Sequence, residues 1–227
     1  MGKITGTFKK STAGIGYGLT ETNALGAVNA GAFYVANPHS TGRVVPAVTE
    51  FRIEGEDGLE MATGERGELC IKSPANVLGY WNKPEATAEA FVDGWFHTGD
   101  VGYVDEDGFV YIVDRIKEII IRGGENISCL EVEAAIYNHP AVFEAAVFGL
   151  PDERLGEIVG AAIVLKEEAE MTTDDLRDYL AQHVAAFKIP ARVWFRAEQL
   201  PRIASGKIFK RQIKADYAAE LADENKA

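Results

Sequence analysis

A glycine-flanked segment near the start of the chain carries side chains that could bind a nucleotide. In residues 16–22 (GYGLTET), Gly18 and the glycine two places before it would let the backbone approach a phosphate group closely. Thr20 offers a hydroxyl to a phosphate oxygen, Glu21 offers a carboxylate to Mg²⁺, and Tyr17 offers a flat ring to a base. A glycine-rich turn with polar side chains is more often purely structural, so this segment needs support from elsewhere.

A second glycine-flanked segment, residues 94–102 (GWFHTGDVG), places Asp100 in a loop before a predicted strand. A carboxylate accepts two hydrogen bonds side by side, which suits the vicinal hydroxyls of a ribose. An ordinary capping role in a turn explains an aspartate at this position equally well. His97 has no nucleophile beside it in the sequence, so we expect it, like Trp95, to be structural.

The charged run Asp114–Glu118 (DRIKE) precedes a strand predicted over 119–121 and a Gly123-Gly124 pair. The planar guanidinium of Arg115 could bind both oxygens of a ribose diol. Paired glycines give the backbone conformational freedom at the end of the strand. A solvated linker is the simpler explanation of such a charged run, so the ribose role stays an alternative here.

The last candidate is Lys207, at the end of Pro201–Lys207 (PRIASGK). A lysine on a glycine-preceded loop can reach across a cleft and neutralise charge that develops on a phosphoryl oxygen. A surface lysine that only adds solubility is the commoner case. Lys207 therefore also depends on the rest of the sequence for its interpretation.

Composition and charge narrow the class of protein. Of the 227 residues, 47% are hydrophobic and 26% are charged, as in globular proteins that bury a core. A net charge of −12 argues against binding nucleic acid or an anionic membrane. No run of about 20 apolar residues predicts a membrane span, and Cys70, Cys129 and the four histidines lack metal-ligand spacing. We therefore expect a reduced, cytoplasmic protein.

The predicted elements divide the chain at 113/114. Residues 1–113 read as the remainder of a larger, mainly β domain, and residues 114–227 have the size of a compact α+β domain. The fold class predicted for the whole chain is therefore α+β. Predicted strands cover 44–53, 68–72, 101–104, 109–113, 142–148, 158–165 and 192–195, with a hairpin turn at 105–108; predicted helices cover 82–92, 128–138 capped by Ser128, 173–185 capped by Thr172 or Thr173, and 209–222.

Four separated motifs follow one another along the chain: Tyr17–Glu21, then Gly79–Glu85 (GYWNKPE) with Trp95–Asp100, then Asp114–Asn126, then Ser205–Lys207. In identity, order and spacing they resemble the core motifs of the adenylate-forming superfamily. That superfamily contains acyl-CoA synthetases, amino-acid adenylation domains and firefly luciferase. The resemblance covers residues 14–215, and within the superfamily the run Ile121–Ile127 (IRGGENI) is most similar to fatty-acyl-CoA ligases.

The resemblance implies ATP and AMP, Mg²⁺ and coenzyme A as cofactors, with a carboxylic acid of the fatty-acid type as substrate. It also implies a role for each residue that matches a motif. The nucleotide-binding residues would be Tyr17 and Gly18 near the adenine, Thr20 at the α-phosphate, Asp100 and Arg115 at the ribose hydroxyls, and Glu21 as the ligand of Mg²⁺.

By the same resemblance, the second part of the chain would be a mobile lid with Asp114 and Lys117 at its hinge. Lys207 would bridge carboxylate and phosphate oxygens during adenylation, and it would be catalytic together with Thr20 and Glu21. After the lid rotates, the Gly123-Gly124 pair would line the pantetheine tunnel for thioester formation. Such a rotation matches two different transition states in turn.

Family members carry a Ser/Thr/Gly-rich phosphate loop and most of the acyl pocket upstream of the Tyr17 motif, and this sequence has no counterpart of either. We therefore expect the C-terminal portion of an acyl-CoA synthetase, incomplete as a catalyst alone. Apolar faces of residues 1–113 would then be exposed and favour self-association. Two alternatives stay open: a stand-alone nucleotide-binding or regulatory module, and a fragment of an amino-acid adenylation domain.

Overall fold

The computed structural model describes residues 12–224, and the chain divides into two compact units, Met1–Ile116 and Lys117–Ala227. The division lies three residues beyond the predicted boundary at 113/114, because the last strand of the first unit continues to Arg115. Both units combine helices with mainly antiparallel sheets, which confirms the α+β class. Among the described residues, no helix is both long and apolar enough to cross a membrane.

The first unit is built on one eight-stranded sheet whose paired strands are antiparallel. Its strands are β1 Gly14–Tyr17, β2 Ala27–Ala30, β3 Gly42–Val44, β4 Glu50–Glu54, β5 Gly67–Lys72, β6 Phe91–Val92, β7 Trp95–Val104 and β8 Phe109–Arg115. They lie in the order β1-β2-β3-β8-β7-β5-β4, with β6 paired to β7. Two helices, α1 Ala32–Ala36 and α2 Pro84–Ala90, and a 3-10 helix at Thr20–Thr22 accompany the sheet.

Local sequence rules account for the turns of this unit. The hairpin predicted at 105–108 joins β7 to β8, and the Asp105 carboxylate accepts the backbone N–H groups of Asp107 and Phe109 at 3.0 and 2.8 Å. Pro84 occupies the first turn of α2, where a missing N–H costs no hydrogen bond.

A small cluster of buried residues forms the core of the first unit: Ala27, Ile53, Leu69 and Val110.

The second unit holds a five-stranded sheet with helices on both faces. Strands β9 Ile120–Arg122, β10 Glu125–Ile127, β11 Val142–Asp152 and β12 Gly156–Leu165 pair in the order β10-β9-β12-β11, and β13 Arg192–Arg196 pairs with β12 in parallel. The helices are α3 Cys129–Tyr137, α4 Thr173–Leu180 and α5 Lys210–Glu224, and a 3-10 helix covers Ala186–Lys188. A further 3-10 helix, Ile116–Glu118, spans the division between the units.

The buried strands β11 and β12 divide the core of this unit into two layers. Alternate residues face either α3 and α4, as Val147 and Ile163 do, or α5, as Phe148 and Val164 do. Because both faces are covered, these strands read as continuous apolar runs rather than as alternating ones. Strand β11 extends beyond the predicted segment 142–148 and ends at Asp152. Strand β12 begins at Gly156, two residues before the predicted segment 158–165.

Two predicted helix caps are present. The Ser128 hydroxyl accepts the N–H of Glu131 at 3.1 Å at the start of α3. Thr172, rather than Thr173, caps α4 and forms a capping box with Asp175. Helix α4 ends at Leu180, before the predicted end at residue 185, because the chain enters a series of turns there.

Candidate functional site

Two of the predicted nucleotide-binding residues, Tyr17 and Arg115, each contact a third, Asp100, in the first unit. Tyr17 ends β1, Asp100 lies in β7, and Arg115 ends β8, where the strand register places it opposite Asp100. The Tyr17 hydroxyl donates to Asp100 Oδ2 at 2.6 Å, and Arg115 Nε donates to Asp100 Oδ1 at 2.8 Å. The sheet therefore brings together side chains that are 83 residues apart in sequence.

Asp100 is held as a fixed acceptor. The residue is 5% exposed, whereas the Arg115 side chain is 56% exposed and open to solvent on one side. Burial, followed by the hydrogen bond to Asp100, raises the pKa of Tyr17, so the hydroxyl remains a donor. A carboxylate has about four lone-pair sites, of which these two contacts use two. The remaining sites can accept a pair of hydroxyl groups.

The backbone beneath Asp100 is tied to the neighbouring strand β5. The Thr98 hydroxyl donates to the Leu69 carbonyl at 2.6 Å and accepts the N–H of Asp100 at 3.0 Å. The N–H of Gly99 donates to Glu68 Oε1 at 2.8 Å. Gly99 has φ +70°, a left-handed conformation that disfavours residues with a Cβ. These contacts explain the sequence Thr98-Gly99-Asp100: the Thr98 hydroxyl bonds the backbone, Gly99 adopts a positive φ, and the Asp100 carboxylate contacts Arg115.

Glu21 is also held in place, by a residue to which the sequence analysis assigned no role. The Tyr80 hydroxyl donates to Glu21 Oε1 at 2.9 Å, and the N–H of Val77 donates to the Glu21 carbonyl at 2.8 Å. Burial, followed by Glu21, raises the pKa of Tyr80 to about 12. Thr20 beside it is exposed. An oriented carboxylate oxygen next to an exposed hydroxyl fits a hard cation such as Mg²⁺.

The predicted binding glycines have backbone requirements of their own. A Cβ at Gly18 would lie 2.4 Å from the Ala24 carbonyl oxygen, so no larger residue fits there. Gly123 and Gly124 form the two-residue turn between β9 and β10, with φ +59° and +90°. Positive φ at both central positions is typical of a type I′ hairpin turn. These requirements explain the glycines without testing their predicted contacts with ligands.

The remaining predicted residues occupy different environments. Lys207 is exposed, in the loop before α5, where its carbonyl accepts the N–H of Ile203 at 2.9 Å. Of the predicted hinge residues, Asp114 is fully buried within β8, and Lys117 is exposed in the 3-10 helix at the start of the second unit. The structure thus joins Tyr17 to Asp100 and Arg115 in one unit, and it positions Lys207 in the other.

His97 belongs to a polar cluster that sequence spacing did not indicate. Its Nδ1 lies 3.0 Å from Glu68 Oε2 and 3.5 Å from Cys70 Sγ. Ligand atoms of Glu54, Cys70 and His97 all lie within 4.8 Å of one another. The guanidinium of Arg52 pairs with Glu54 and supplies the positive charge, while burial raises the pKa of the Cys70 thiol to about 12. We therefore interpret the cluster as a structural ion network between β4, β5 and β7.

Two family models match the chain. The model described as AMP-binding enzyme matches residues 3–81, which include the Tyr17 and Glu21 segment. The model described as AMP-binding enzyme C-terminal domain matches residues 131–207, up to and including Lys207. The two matches lie in the first and second unit respectively.

Curated relatives match most of the chain. The fatty acid–acyl-carrier-protein ligase ScoC of Streptomyces coeruleorubidus is 44% identical over 91% of this chain and 40% of its own length. A long-chain-fatty-acid–CoA ligase of Mycobacterium tuberculosis is 42% identical over 91% of this chain and 40% of its own length. The oxalate–CoA ligase of Arabidopsis thaliana is 42% identical over 90% of this chain and 39% of its own length. The chain therefore spans about 40% of the length of these relatives.

Solved structures of similar enzymes also match most of this chain and about 40% of their own length. The o-succinylbenzoate CoA synthetase MenE of Bacillus subtilis, in complex with its acyl-adenylate intermediate, superposes with a TM-score of 0.82 at 37% identity over 88% of this chain and 40% of MenE. The same enzyme in complex with ATP and magnesium ion superposes with a TM-score of 0.82 at 36% identity over 89% of this chain and 41% of MenE.

Proposed function

This chain belongs to the AMP-binding, adenylate-forming enzymes, and we propose that it is the C-terminal portion of an ATP-dependent acyl-CoA synthetase. The proposed reaction has two steps. A carboxylate oxygen attacks the α-phosphorus of ATP, which releases pyrophosphate and leaves an acyl adenylate. A thiol then attacks the acyl carbon, which releases AMP and gives a thioester. The acid–thiol ligases among its relatives support this class of reaction.

The observation that carries the proposal is the buried Asp100 carboxylate between Tyr17 and Arg115. Its unused lone pairs accept the two ribose hydroxyls, and the Tyr17 ring lies at the adenine. Because its partners hold the carboxylate before any ligand arrives, binding costs little reorganisation. Gly18 lets the backbone approach the base here.

Thr20, Glu21 and Lys207 act on the phosphates. The Thr20 hydroxyl bonds the α-phosphate, and the Glu21 carboxylate, oriented by Tyr80, holds Mg²⁺. Mg²⁺ supplies charge neutralisation at the phosphates. Lys207 neutralises the charge that develops as pyrophosphate leaves and bridges to the substrate carboxylate.

The second unit is the mobile lid in this proposal, and the segment from Asp114 to Lys117, at the end of β8 and in the following 3-10 helix, is its hinge. The boundary that we propose, at Ile116 and Lys117, follows the division of the chain into compact units. Rotation withdraws Lys207 after adenylation and brings the Gly123-Gly124 turn to the pantetheine arm. One lid thereby serves two transition states that a single rigid site could not both match.

The acceptor that we favour is coenzyme A, and the acid that we favour is a fatty acid. The relatives include ligases named for coenzyme A and one named for an acyl carrier protein, so an acyl carrier protein is the alternative thiol acceptor. Amino-acid adenylation for a carrier is the alternative within the family. We also propose a cytoplasmic location, where the buried thiols of Cys70 and Cys129 would stay reduced.

ATP–pyrophosphate exchange with a panel of carboxylates tests the reaction. In the full-length protein, we expect exchange that depends on a carboxylate and falls roughly 100-fold in Lys207→Ala. Lys214→Ala, which removes a half-exposed lysine seven residues later, is the matched control and should exchange normally. Amino acids as the best substrates would favour the alternative. The present chain alone should show no exchange, and robust exchange would contradict its proposed incompleteness.

A stand-alone AMP-binding module is a different class of function that uses the same ribose contacts. It predicts tight, specific AMP binding by this chain without any exchange activity. Calorimetry on the chain and on Asp100→Ala separates the two, since an incomplete catalyst binds AMP weakly. Micromolar binding that Asp100→Ala abolishes would favour the module.

A further inference from the structure

A buried carboxylate lies beneath the loop that carries Lys207. Glu144, in β11, is 4% exposed and is followed along its strand by the buried residues Ala146 and Phe148. Its Oε2 accepts the N–H of Leu200 at 2.8 Å, and its Oε1 pairs with the guanidinium of Arg202. Burying a carboxylate is costly unless it is paired and hydrogen-bonded. Both of its oxygens are therefore committed to the segment just before Lys207.

Arg202 connects this carboxylate to the tip of the loop. While one amino group of its guanidinium pairs with Glu144, the other donates to the Gly206 carbonyl at 2.6 Å. That carbonyl belongs to the peptide bond joining Gly206 to Lys207. The planar guanidinium has its donors in a rigid fork, so it fixes the separation of the two acceptors that it bridges.

Backbone hydrogen bonds close the rest of the loop. The N–H of Ile203 donates to the Lys207 carbonyl at 2.9 Å, and the N–H of Gly206 returns to the Ile203 carbonyl at 2.8 Å. At its base, the N–H of Phe209 donates to the Pro201 carbonyl at 2.7 Å. The loop is thus a closed hairpin that presents an exposed Lys207. The Glu144 side chain holds it to β11 by polar contacts, and Leu200 and Ile208 at its base pack into the apolar cluster that includes Ala146 and Phe148.

We propose that Glu144 and Arg202 are positioning residues for Lys207, acting through the backbone of its loop. The inference rests on the proposed role of Lys207 in adenylation. A lysine side chain is long and flexible, so its amine reaches a defined point only if the backbone that carries it is fixed. A displacement of about 1 Å in such a group can lower the rate roughly 100-fold. An ion pair to a buried carboxylate, such as that between Arg202 and Glu144, is by itself only weak evidence for a contribution to stability.

The two half-reactions, measured separately in the full-length protein, test this role. Adenylation is followed by ATP–pyrophosphate exchange, and thioester formation is followed with a supplied acyl adenylate. We expect Arg202→Met to lower adenylation roughly 10- to 100-fold and to leave thioester formation within about threefold. Arg202→Lys keeps the ion pair but loses the fork, so its adenylation rate should be intermediate. Arg211→Met, which removes an exposed arginine, should leave both steps unchanged.

A double variant separates positioning from stability. Arg202→Met leaves a buried carboxylate without its cation, and adding Glu144→Gln removes that charge. If the double variant regains thermal stability but not adenylation, the positioning role holds. Full recovery of adenylation with stability overturns it, as does an equal loss of both half-reactions in Arg202→Met.

Lys207→Ala distinguishes a failure of this inference from a failure of the proposed function. If Lys207→Ala leaves adenylation unchanged, or the wild type performs neither half-reaction, the proposed function fails and the positioning role fails with it. If Lys207→Ala abolishes adenylation while Arg202→Met leaves it unchanged, only the positioning role is overturned.

Discussion

Replacing Lys210 with methionine should destabilise the second unit by about 3 kcal/mol at pH 8. Lys210 Nζ lies 2.8 Å from Glu133 Oε1 and 2.8 Å from Glu118 Oε2. Burial opposes the charge on Lys210, but the two carboxylates outweigh burial and raise its pKa. The Glu133 side chain is 9% exposed, and its Oε1 also accepts the N–H of Val147 at 2.7 Å. The substitution leaves this carboxylate buried without its cation.

The expected loss of stability in Lys210→Met comes almost entirely from Glu133. Removing one partner of a buried ion pair costs about 3–5 kcal/mol, whereas Glu118 is 35% exposed and its screened pair adds at most about 1 kcal/mol. We take the lower end because Lys210 is itself 21% exposed and water can reach the site.

The destabilisation should depend on pH. Burial raises the folded-state pKa of Glu133, and losing Lys210 raises it further. A carboxyl group whose pKa is higher in the folded state binds more protons there, so its contribution to stability is lost as pH rises through that folded pKa. The difference between Lys210→Met and the wild type should therefore be small near pH 5 and largest near pH 8.

Hydrogen exchange of peptides from residues 142–152 measures this effect, because it reports opening of the second unit alone. Lys214→Met is the matched control: Lys214 is 45% exposed and lies 3.1 Å from Glu157, so its loss should cost less than about 1 kcal/mol. Adding Glu133→Gln to Lys210→Met should recover most of the loss. The reasoning is refuted if Lys210→Met costs no more than Lys214→Met, or the same at pH 5 and pH 8.

Three further predictions concern the first unit. In the full-length protein, Tyr80→Phe should raise the Mg²⁺ concentration for half-maximal ATP–pyrophosphate exchange by about tenfold, because Glu21 loses the hydroxyl that orients it; an unchanged Mg²⁺ dependence of that exchange would contradict this. The present chain should self-associate through exposed apolar side chains such as Val28 and Val35, which are 55% and 65% exposed, and light scattering should show less association in Val35→Lys; a monodisperse wild-type monomer would count against it. Iodoacetamide at pH 8 should leave Cys70 unmodified, because burial raises its thiol pKa to about 12; mass spectrometry that finds rapid labelling of Cys70 in the native chain would disprove it.

Local features of the structure could be predicted from the sequence because they depend on near neighbours. The Asp105–Gly108 turn and the Ser128 cap each follow from the conformational preferences of a few adjacent residues. The ends of helices and strands were harder to predict from the sequence. Helix α4, for example, stops at Leu180, and turns replace its predicted last residues up to residue 185. The boundary between the units moved for a similar reason, since pairing with β7 extends β8 to Arg115.

By itself the sequence determined the family and the residue types at each motif, because these are properties of order and spacing. Only the tertiary structure decided which side chains meet. The carboxylates of Asp100, Glu21 and Glu144 lie 83, 59 and 58 residues along the chain from the side chains that contact them, which belong to Tyr17, Tyr80 and Arg202 respectively. Such contacts depend on sheet register and on burial, which long-range packing sets and no local pattern records.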